Sequence, residues 1–366
     1  NYALYADMSR RVMQTLQSIN PDIEVYSIDE AFLDLQHQNI HDYRSYALQV
    51  RQTVLQHTGI PVSIGIAPTK VLAKVANRIA KKDKKATGCV YVLQNNDDIE
   101  KALRETPIED VWGMGKRNAL KLKRNFRIEN AYQFYATMTE NVARKFFGGV
   151  VGIRLLREIK GHPSIFVQPG KKEKKHIAST RSFGKPVTCL DELKEALTVY
   201  AERALQKMEE QQTACRTIGV FLRTDPHNPK KKYYANTKYK TLFYSTYNPF
   251  EIISHAHQLL EEIFVPGYEY MKAGLFLSSF EDFRYQQMSL FEENNINQLE
   301  ELNKHEKISA ILAKSQMVYG KKKIFTAATQ GHQNWKMRSA FRSPEYTTNW
   351  DELPVARKSS TWNKNI

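Results

Sequence analysis

The sequence predicts a multidomain chain of mixed α/β and α+β class, and three observations lead to that prediction. Near the start, two short strand-like runs precede alternating helix and strand segments, a pattern typical of helices packed on a sheet. From about residue 97 the pattern changes to short helices. After residue 176 the order becomes strand, helix, strand, strand, helix, strand, which predicts a small α+β domain with a four-stranded sheet.

Composition favours a nucleic-acid partner. The 366 residues include 54 Lys and Arg against 39 Asp and Glu, and the net charge of +15 suits a nucleic acid or an acidic membrane surface. No apolar run approaches the length that crosses a bilayer, and no signal-peptide pattern occurs, so a membrane is disfavoured. Three cysteines, Cys89, Cys189 and Cys215, form neither a disulfide framework nor a zinc spacing, which fits a reducing cytoplasm.

The first candidate site is a pair of adjacent acids, Asp29 and Glu30, between the strand-like runs 25–28 and 31–35. Neighbouring side chains in a regular strand point to opposite faces, so the two acids converge only where the chain turns, which predicts a hairpin tip. Two carboxylates there, within about 6 Å of each other, suit Mg²⁺, whose remaining ligands are phosphates and water. An exposed acidic turn without a metal is the alternative interpretation.

The elements around this pair alternate between helix and strand. Apolar residues at helical spacing predict a first helix over residues 1–19, and further helices are expected at about 42–57 and 69–82, with a buried strand at 61–67 between them. We expect helices laid against one sheet. The third helix has a basic face made of Lys70, Lys74, Arg78 and Lys81. That face is either solvated surface or a source of ammonium groups for a nucleotide triphosphate.

A glycine-containing turn follows in the region of short helices. Gly113 and Gly115 allow a backbone to approach closely, and the next helix would direct its free N–H groups at a phosphate. With Lys116 and Arg117 beside it, the segment predicts a helix-hairpin-helix that binds DNA without sequence preference. An ordinary helix cap with a basic surface is the alternative.

Residues 168–175 combine Pro-Gly with a run of charges and predict a linker. In the α+β domain that follows, strands are expected at 177–183, 217–223, 241–246 and 270–277, and helices at 190–211 and 250–263. The candidate phosphate contacts of this domain are Arg181, Arg223, Lys230, Lys231 and Lys232. The three lysines could equally be a disordered loop tip.

Residues 26–35, with the sequence Tyr-Ser-Ile-Asp-Glu-Ala-Phe-Leu-Asp-Leu, resemble the catalytic signature of the Y-family translesion DNA polymerases. Later segments make the likeness strongest to the UmuC group, the polymerase subunits of bacterial DNA polymerase V, over essentially the whole chain. The resemblance implies error-prone, template-directed nucleotidyl transfer onto a primer 3′-hydroxyl by two Mg²⁺ ions. It also implies that Asp29 and Glu30 are catalytic metal ligands and that Lys81 binds the β- and γ-phosphates.

The same resemblance assigns names to the predicted domains. They are a partial polymerase palm at 1–95, a helix-hairpin-helix thumb at 96–168, a linker at 169–176, a βαββαβ little-finger DNA-binding domain at 177–283, a clamp-binding peptide and linker at 284–306, and a UmuC-type C-terminal module and tail at 307–366. Gln287, Leu290 and Phe291 resemble the sliding-clamp-binding motif, in which the two apolar side chains fill a pocket and the glutamine bonds at its rim.

The family's first metal-binding acid and its fingers have no counterpart among these residues. We therefore expect a partial or truncated sequence that has no useful polymerase activity by itself. The implied partners are primer–template DNA, the sliding clamp, a UmuD′-type dimer and a RecA-type recombinase filament, with no membrane. The implied setting is the SOS response and DNA repair, in the cytoplasm and associated with the nucleoid.

Two other classes remain open on the residues alone. A nucleotide cyclase with a palm-like sheet also uses a carboxylate pair and Mg²⁺, but it has no need of the glycine turn or the clamp peptide. A non-catalytic DNA- and clamp-binding protein fits every feature except the Asp29–Glu30 hairpin. Incubation with Mg²⁺, primed template and nucleotides would separate these classes from a polymerase.

Overall fold

The computed structural model describes residues 1–170, 173–283, 311, 335–337, 339 and 341–355. Within them the chain forms two compact units, one containing residues 1–170 and one containing residues 173–283. Among the described residues, no helix combines the length and the apolar character needed to cross a bilayer.

The first unit begins with short strands and longer helices. Its elements up to residue 92 are α1 (Tyr2–Ile19), β1 (Ile23–Val25), β2 (Ala31–Leu33), α2 (Tyr43–Thr58), β3 (Ile64–Ile66), α3 (Lys70–Lys82), α4 (Lys84–Thr87) and β4 (Val90–Val92). β1 and β2 form an antiparallel hairpin, and β3 and β4 form a separate parallel pair. The expectation of one sheet is therefore wrong for the described residues, because β1 and β2 pair only with each other, and so do β3 and β4.

α3 packs directly on β3 because Gly65 has no side chain. A Cβ at Gly65 would lie 2.2 Å from the Asn77 nitrogen and 2.4 Å from the Ala73 oxygen, so a larger residue would displace the helix. The helix begins after Thr69, whose side chain accepts a hydrogen bond from the Leu72 N–H. These two features fix the helix that carries the predicted basic face.

The rest of the first unit is helical. Its elements are α5 (Asn96–Arg104), a 3₁₀ turn (Ile108–Asp110), α6 (Lys116–Phe126), α7 (Ala131–Thr137), α8 (Glu140–Phe147) and α9 (Val150–Ile159). The apolar face of α3 shares one core with these helices, including Leu72, Leu122, Phe134 and Leu156. At the predicted helix-hairpin-helix, the element immediately before the glycines is a 3₁₀ turn rather than an α-helix, and the element after them is α6.

The second unit has the predicted β-α-β-β-α-β order. Its elements are β5 (His176–Val187), α10 (Leu190–Glu210), β6 (Thr213–Arg223), β7 (Ala235–Thr246), α11 (Pro249–Ile263) and β8 (Tyr270–Asp282). The four strands form one antiparallel sheet in the order β5-β8-β6-β7. Both helices pack on the face that carries the buried side chains of the sheet, such as Ile218, Val220, Leu275 and Leu277. The four-stranded α+β prediction is confirmed.

A residue far along the chain completes this second core. Trp335 is 4% exposed, and its ring makes edge contacts with Phe183 and Tyr200 at centroid distances of 6.5 and 5.9 Å. Its indole N–H donates to the Glu195 carboxylate at 3.2 Å, and its carbonyl oxygen accepts from the Gly184 N–H at 3.1 Å. No local sequence pattern joins this residue to the α+β domain.

Candidate active site and nucleic-acid contacts

The adjacent acids lie in the turn of the β1–β2 hairpin, as the sequence predicts. The N–H groups of Tyr26 and Ser27 both donate to the carbonyl oxygen of Glu30, each at 3.0 Å, and so close the turn. We call residues 26–30 the acidic turn. The Asp29 carboxylate is exposed and accepts a hydrogen bond from the Ser27 hydroxyl at 2.6 Å. The prediction that the Asp29 and Glu30 carboxylates lie within about 6 Å of each other stays a prediction.

Two lysines of α3, one helical turn apart, form ion pairs with the hairpin. Lys74 pairs with Glu30, and both side chains are about a quarter exposed, at 21% and 26%. Lys70 pairs with Glu24, and here both are almost fully buried. The prediction that Lys70 belongs to an exposed basic face is therefore wrong. At the start of α3 its side chain is directed at the hairpin rather than at solvent, because a carboxylate there compensates its charge.

The cations of α3 also line a groove of about 580 Å³. The residues around it are Lys74, Asn77, Arg78, Lys81, Lys82, Asp110 and Trp112. Arg78 forms an ion pair with Asp110, whereas Lys81 is exposed and has no ion pair within the described part of the chain. The groove thus places an uncompensated ammonium group on the same helix as the lysine that contacts Glu30. An anionic ligand such as a triphosphate would find charge compensation there.

The acidic turn suits a hard divalent cation by its donor chemistry. Asp29 and Glu30 supply carboxylate oxygens, which Mg²⁺ prefers, and the exposure of Asp29 leaves room for water and phosphate ligands. Among the described residues no cluster of three or more His, Cys, Asp or Glu side chains could hold a metal without such help. The two acids therefore fit a metal that is shared with substrate rather than enclosed by protein.

The glycine turn lies between the 3₁₀ turn and α6. Gly113 has a φ of +90°, a conformation that a residue with a side chain rarely adopts. Gly115 has an ordinary φ of −69°, and nothing lies within 4 Å of where its Cβ would be. The internal structure thus requires a glycine at the first position but not at the second. The missing side chain of Gly115 leaves open space in front of an N-terminus of α6 that no side chain caps.

The basic residues after this turn have different surroundings. Lys116 and Arg117 are exposed and have no ion pair within the described residues. Lys123 instead pairs with Glu109 and Glu129 at 3.0 and 3.5 Å, and its hydrogen bond to Glu109 raises the pKa of the Lys123 ammonium. Lys116 and Arg117, which we predicted as DNA contacts, are available to a phosphate, whereas Lys123 is already compensated within the unit.

In the second unit, the face of the sheet opposite the helices holds the predicted contact Arg223. Arg223 lies directly opposite Lys272 in the β6–β8 register, which places two cations side by side. Cations directly opposite each other repel unless an anion lies between them. Next to them, Phe221 lies opposite Gly274, and Phe276 lies opposite Gly219. Each ring occupies the space that a side chain at the opposite glycine would fill. We call this face the open face. Lys272 was missed from sequence, because only the strand register places it beside Arg223.

The remaining predicted contacts of this unit lie elsewhere. Arg181 is exposed but pairs in register with the buried Ala273, so it belongs to the helix-bearing side of the sheet. Lys230 and Lys231 lie in a loop, where their backbone N–H groups donate hydrogen bonds to Asn228. Lys231 also forms an ion pair with Glu269. The predicted clamp-binding residues Gln287, Leu290 and Phe291 lie outside the described residues.

Comparison with known proteins agrees with this fold. Residues 1–78 match the model of the impB/mucB/samB family, and residues 174–290 match the model of the C-terminal domain of that family. Residues 316–356 match a domain of unknown function. Among solved structures, a Dbh–Dpo4 chimera described as a Y-family DNA polymerase is similar, with a TM-score of 0.62 and 22% identity over 76% of this chain and 77% of that one.

Several curated proteins are similar over almost the full length of this chain. Protein UmuC of Salmonella typhimurium is 37% identical over 354 residues, which are 96% of this chain and 82% of the relative. Protein SamB of Salmonella typhimurium is 35% identical, over 98% of this chain and 82% of the relative. DNA polymerase IV of Brucella melitensis is 30% identical over 61% of this chain and 49% of its own length.

The fold of this chain is of the class seen in a Y-family DNA polymerase. Within that class, the chain belongs to the UmuC family, as its identity to UmuC and SamB over nearly all its residues shows.

Proposed function

We propose that this protein is an error-prone, template-directed DNA polymerase subunit that adds nucleotides to a primer 3′-hydroxyl. One observation carries the proposal: Glu30 of the acidic turn pairs with Lys74 of α3, and α3 also lines a groove with Lys81, which has no ion pair within the described ranges. Metal-binding acids beside a phosphate-binding cation are what nucleotidyl transfer requires.

The proposed roles follow from the surroundings of each side chain. Asp29 and Glu30 hold Mg²⁺, and two such ions supply activation of the primer hydroxyl and stabilisation of the pyrophosphate leaving group. Lys81, exposed and without an ion pair among the described residues, binds the β- and γ-phosphates of the incoming nucleotide. Lys74 compensates the charge of Glu30 and holds that side chain beside the groove.

Duplex DNA is held by contacts that do not depend on base sequence. The N-terminus of α6 after Gly115, with Lys116 and Arg117, binds one backbone segment. The open face of the second unit, with Arg223 and Lys272, binds another. These surfaces match the net charge of +15.

The proposal extends to partners and setting. Gln287, Leu290 and Phe291 bind the sliding clamp, and a UmuD′-type dimer and a RecA-type filament complete the assembly during the SOS response. The protein works in the cytoplasm, associated with the nucleoid. The family resemblance supports these roles.

A non-catalytic DNA- and clamp-binding protein is the second candidate. It accounts for the glycine turn and the open face, and the exposed Asp29 side chain is compatible with a turn that holds no metal.

Primer extension separates the two candidates. The 366-residue polypeptide contains two of the three acids that the family's site uses, so we expect it to extend a primer poorly. The same polypeptide preceded by the initial segment of a UmuC relative should extend it in the presence of Mg²⁺. Asp29→Ala should abolish extension in that longer form while duplex affinity is retained.

Two results would contradict parts of this proposal. Extension that persists in the longer form after Asp29→Ala, with contaminating polymerase excluded, would remove Asp29 from the site. A longer form that binds primed template but never extends it would favour the non-catalytic candidate.

A further inference from the structure

Four side chains around the acidic turn lie on the same face of the hairpin and contact other parts of the first unit. Antiparallel pairing places Glu24 opposite Phe32, and the turn continues with Tyr26 bonded to Glu30. Side chains directly opposite each other share a face, so Glu24, Tyr26, Glu30 and Phe32 all lie on one side of the hairpin. Lys70 and Lys74 contact the two acids of this set, and the Lys70 ammonium also lies 4.9 Å from the centroid of the Phe32 ring. The further contacts of the two aromatic rings remain to be explained.

Trp112 contacts both rings. Its centroid lies 5.4 Å from that of Tyr26 and 5.6 Å from that of Phe32, and the Tyr26 and Phe32 centroids are 5.8 Å apart. The indole N–H also donates to the Tyr26 hydroxyl oxygen at 3.2 Å. We call these three residues the aromatic cluster. Each pair of rings has the edge-to-face or tilted geometry that aromatic side chains prefer.

The position of Trp112 is set by its neighbours in sequence. Val111 and Met114 are 3% and 5% exposed, so both sides of this segment are anchored in the core of the first unit. The Met114 N–H donates to the Val111 oxygen at 2.9 Å, which closes the turn that contains Gly113. The indole therefore projects from a fixed base to the hairpin.

The three rings of the cluster differ in exposure. Trp112 packs against the core of the first unit, whereas Tyr26 is 47% exposed and therefore gains less from burial. The contacts of Tyr26 have a second consequence, which follows from its position beside the acids. The backbone N–H of Tyr26 bonds to the carbonyl oxygen of Glu30, so holding the Tyr26 side chain limits the freedom of the peptide that presents the acids.

We propose that Trp112 is a positioning residue that holds the acidic turn through Tyr26 and thereby keeps Asp29 and Glu30 ready for metal. This proposal rests on the proposed function. Because Trp112 immediately precedes Gly113, the indole joins the duplex-binding turn to the metal-binding turn. A duplex seated at Gly115 and Lys116 therefore acts on the same short segment that supports the acids.

The test compares substitutions that remove the same hydrogen bond from its two ends. Trp112→Phe removes the donor and keeps a ring, Tyr26→Phe removes the acceptor and keeps its ring, and Trp112→Ala removes the ring altogether. Trp350→Phe is the matched control, since Trp350 is 87% exposed. Two readouts are measured on the full chain: Mn²⁺ affinity without nucleotide, and hydrogen exchange of the Tyr26 and Ser27 amides.

Trp112→Phe and Tyr26→Phe should each weaken Mn²⁺ binding about threefold and speed exchange of those two amides by a similar factor. The double variant should be no worse than either single one, because both remove one bond. Trp112→Ala should weaken Mn²⁺ binding about tenfold, through loss of the ring contacts as well. The control should change neither readout, and the exchange of the α9 amides should stay unchanged in all variants.

The outcomes separate the two claims. If Asp29→Ala abolishes Mn²⁺ binding while the Trp112 and Tyr26 variants bind it as the parent does, the positioning role is wrong and the proposed function stands. If Mn²⁺ binding survives Asp29→Ala, the proposed function fails and the positioning role fails with it. Faster exchange throughout the first unit in Trp112→Phe would show a role in folding and would also overturn the proposal.

Discussion

At the scale of single residues, the Lys70–Glu24 pair shows how a buried charge is compensated. Besides its ion pair with Glu24, the Lys70 ammonium donates to the Phe166 carbonyl oxygen at 2.9 Å. The Glu24 carboxylate also accepts from the Gln168 N–H at 2.9 Å. The pair therefore ties the segment after α9 back to the hairpin and α3.

We expect Lys70→Met to destabilise the first unit by about 3–5 kcal/mol, since it removes one partner of an almost fully buried ion pair. Lys74→Met, the same change one turn along α3 at a more exposed pair, should cost at most about 1 kcal/mol. Urea unfolding followed by hydrogen exchange of the α3 amides measures both. Equal costs for the two variants would contradict the importance of burial at Lys70.

Thiol reactivity gives a second prediction at this scale. Burial raises the pKa of the Cys215 thiol to about 12, whereas Cys189 is exposed. At pH 8 iodoacetamide should therefore modify Cys189 and leave Cys215 unmodified until the second unit unfolds, because the thiolate is the reactive form. Mass spectrometry of peptides from native and urea-treated protein measures this. A Cys189→Ser variant, which should take up no label at Cys215 before unfolding, serves as the control.

At the scale of secondary-structure elements, one histidine joins the two helices of the second unit. His257 of α11 lies against α10, with its Nε2 at 3.0 Å from the Thr198 hydroxyl and 3.2 Å from the Lys194 carbonyl oxygen. Burial lowers the pKa of His257 from its usual value of 6.5. The positive charge of Lys194, which pairs with Glu261, also lowers the pKa of His257.

This lowered pKa predicts a stability that depends on pH. As the pH falls below about 6.5, His257 takes up a proton in the unfolded chain before it does so in the folded one. The stabilisation is therefore complete above about pH 6.5 and is lost as the pH falls through the lower folded pKa. Hydrogen exchange of α10 and α11 amides should be faster at pH 5 than at pH 7, after correction for intrinsic rates.

His257→Gln should reduce that difference between the two pH values, because Gln does not titrate. His176→Gln, at an exposed histidine, should leave it unchanged. A pH dependence that is identical in parent and His257→Gln would contradict the prediction.

The elements also show how far the sequence alone could lead. Helical periodicity predicted α1, α2 and α3 within two residues, and the two acids were placed correctly in a turn. The β1–β2 hairpin was predicted, but the pairing of β3 with β4 was not, since three-residue strands carry too short a pattern to specify distant partners. The partners of Lys70, Lys272 and Trp335 are set by contacts between residues far apart in sequence, which no local pattern records.

At the scale of the whole molecule, the distribution of cations predicts a salt-dependent affinity for duplex DNA. If the α6 N-terminus and the open face together neutralise roughly six phosphates, affinity should fall on the order of a thousandfold between 50 and 200 mM salt. Arg223→Gln and Lys272→Gln should each reduce the slope of log affinity against log salt by about 1.

Lys207→Gln is the control, since this exposed lysine belongs to α10 on the opposite side of the sheet. Fluorescence anisotropy with two duplexes of unrelated sequence measures affinity and sequence preference together. A shallow slope, or strong preference for one duplex, would argue against sequence-independent phosphate contacts.

Clamp binding should be separable from DNA binding. Leu290→Ala combined with Phe291→Ala removes the two apolar anchors that would carry most of the binding energy of a short peptide. The double variant should lose affinity for the sliding clamp and keep its affinity for duplex DNA, because those residues follow β8 rather than belonging to it. Equal clamp affinity of variant and parent in surface plasmon resonance would show that this segment is not the clamp contact.

The position of Trp335 has a consequence for how the protein is made. β8 ends at Asp282, so a ribosome must synthesise about 50 further residues before the indole that packs on Phe183 and Tyr200 exists. At typical elongation rates that delay is roughly 3–10 s, and the exit tunnel extends it. During this interval the second unit has its full sheet and both helices but an uncovered apolar site, which a chaperone or a neighbouring nascent chain can occupy. A stop codon before residue 335 makes that transient state permanent.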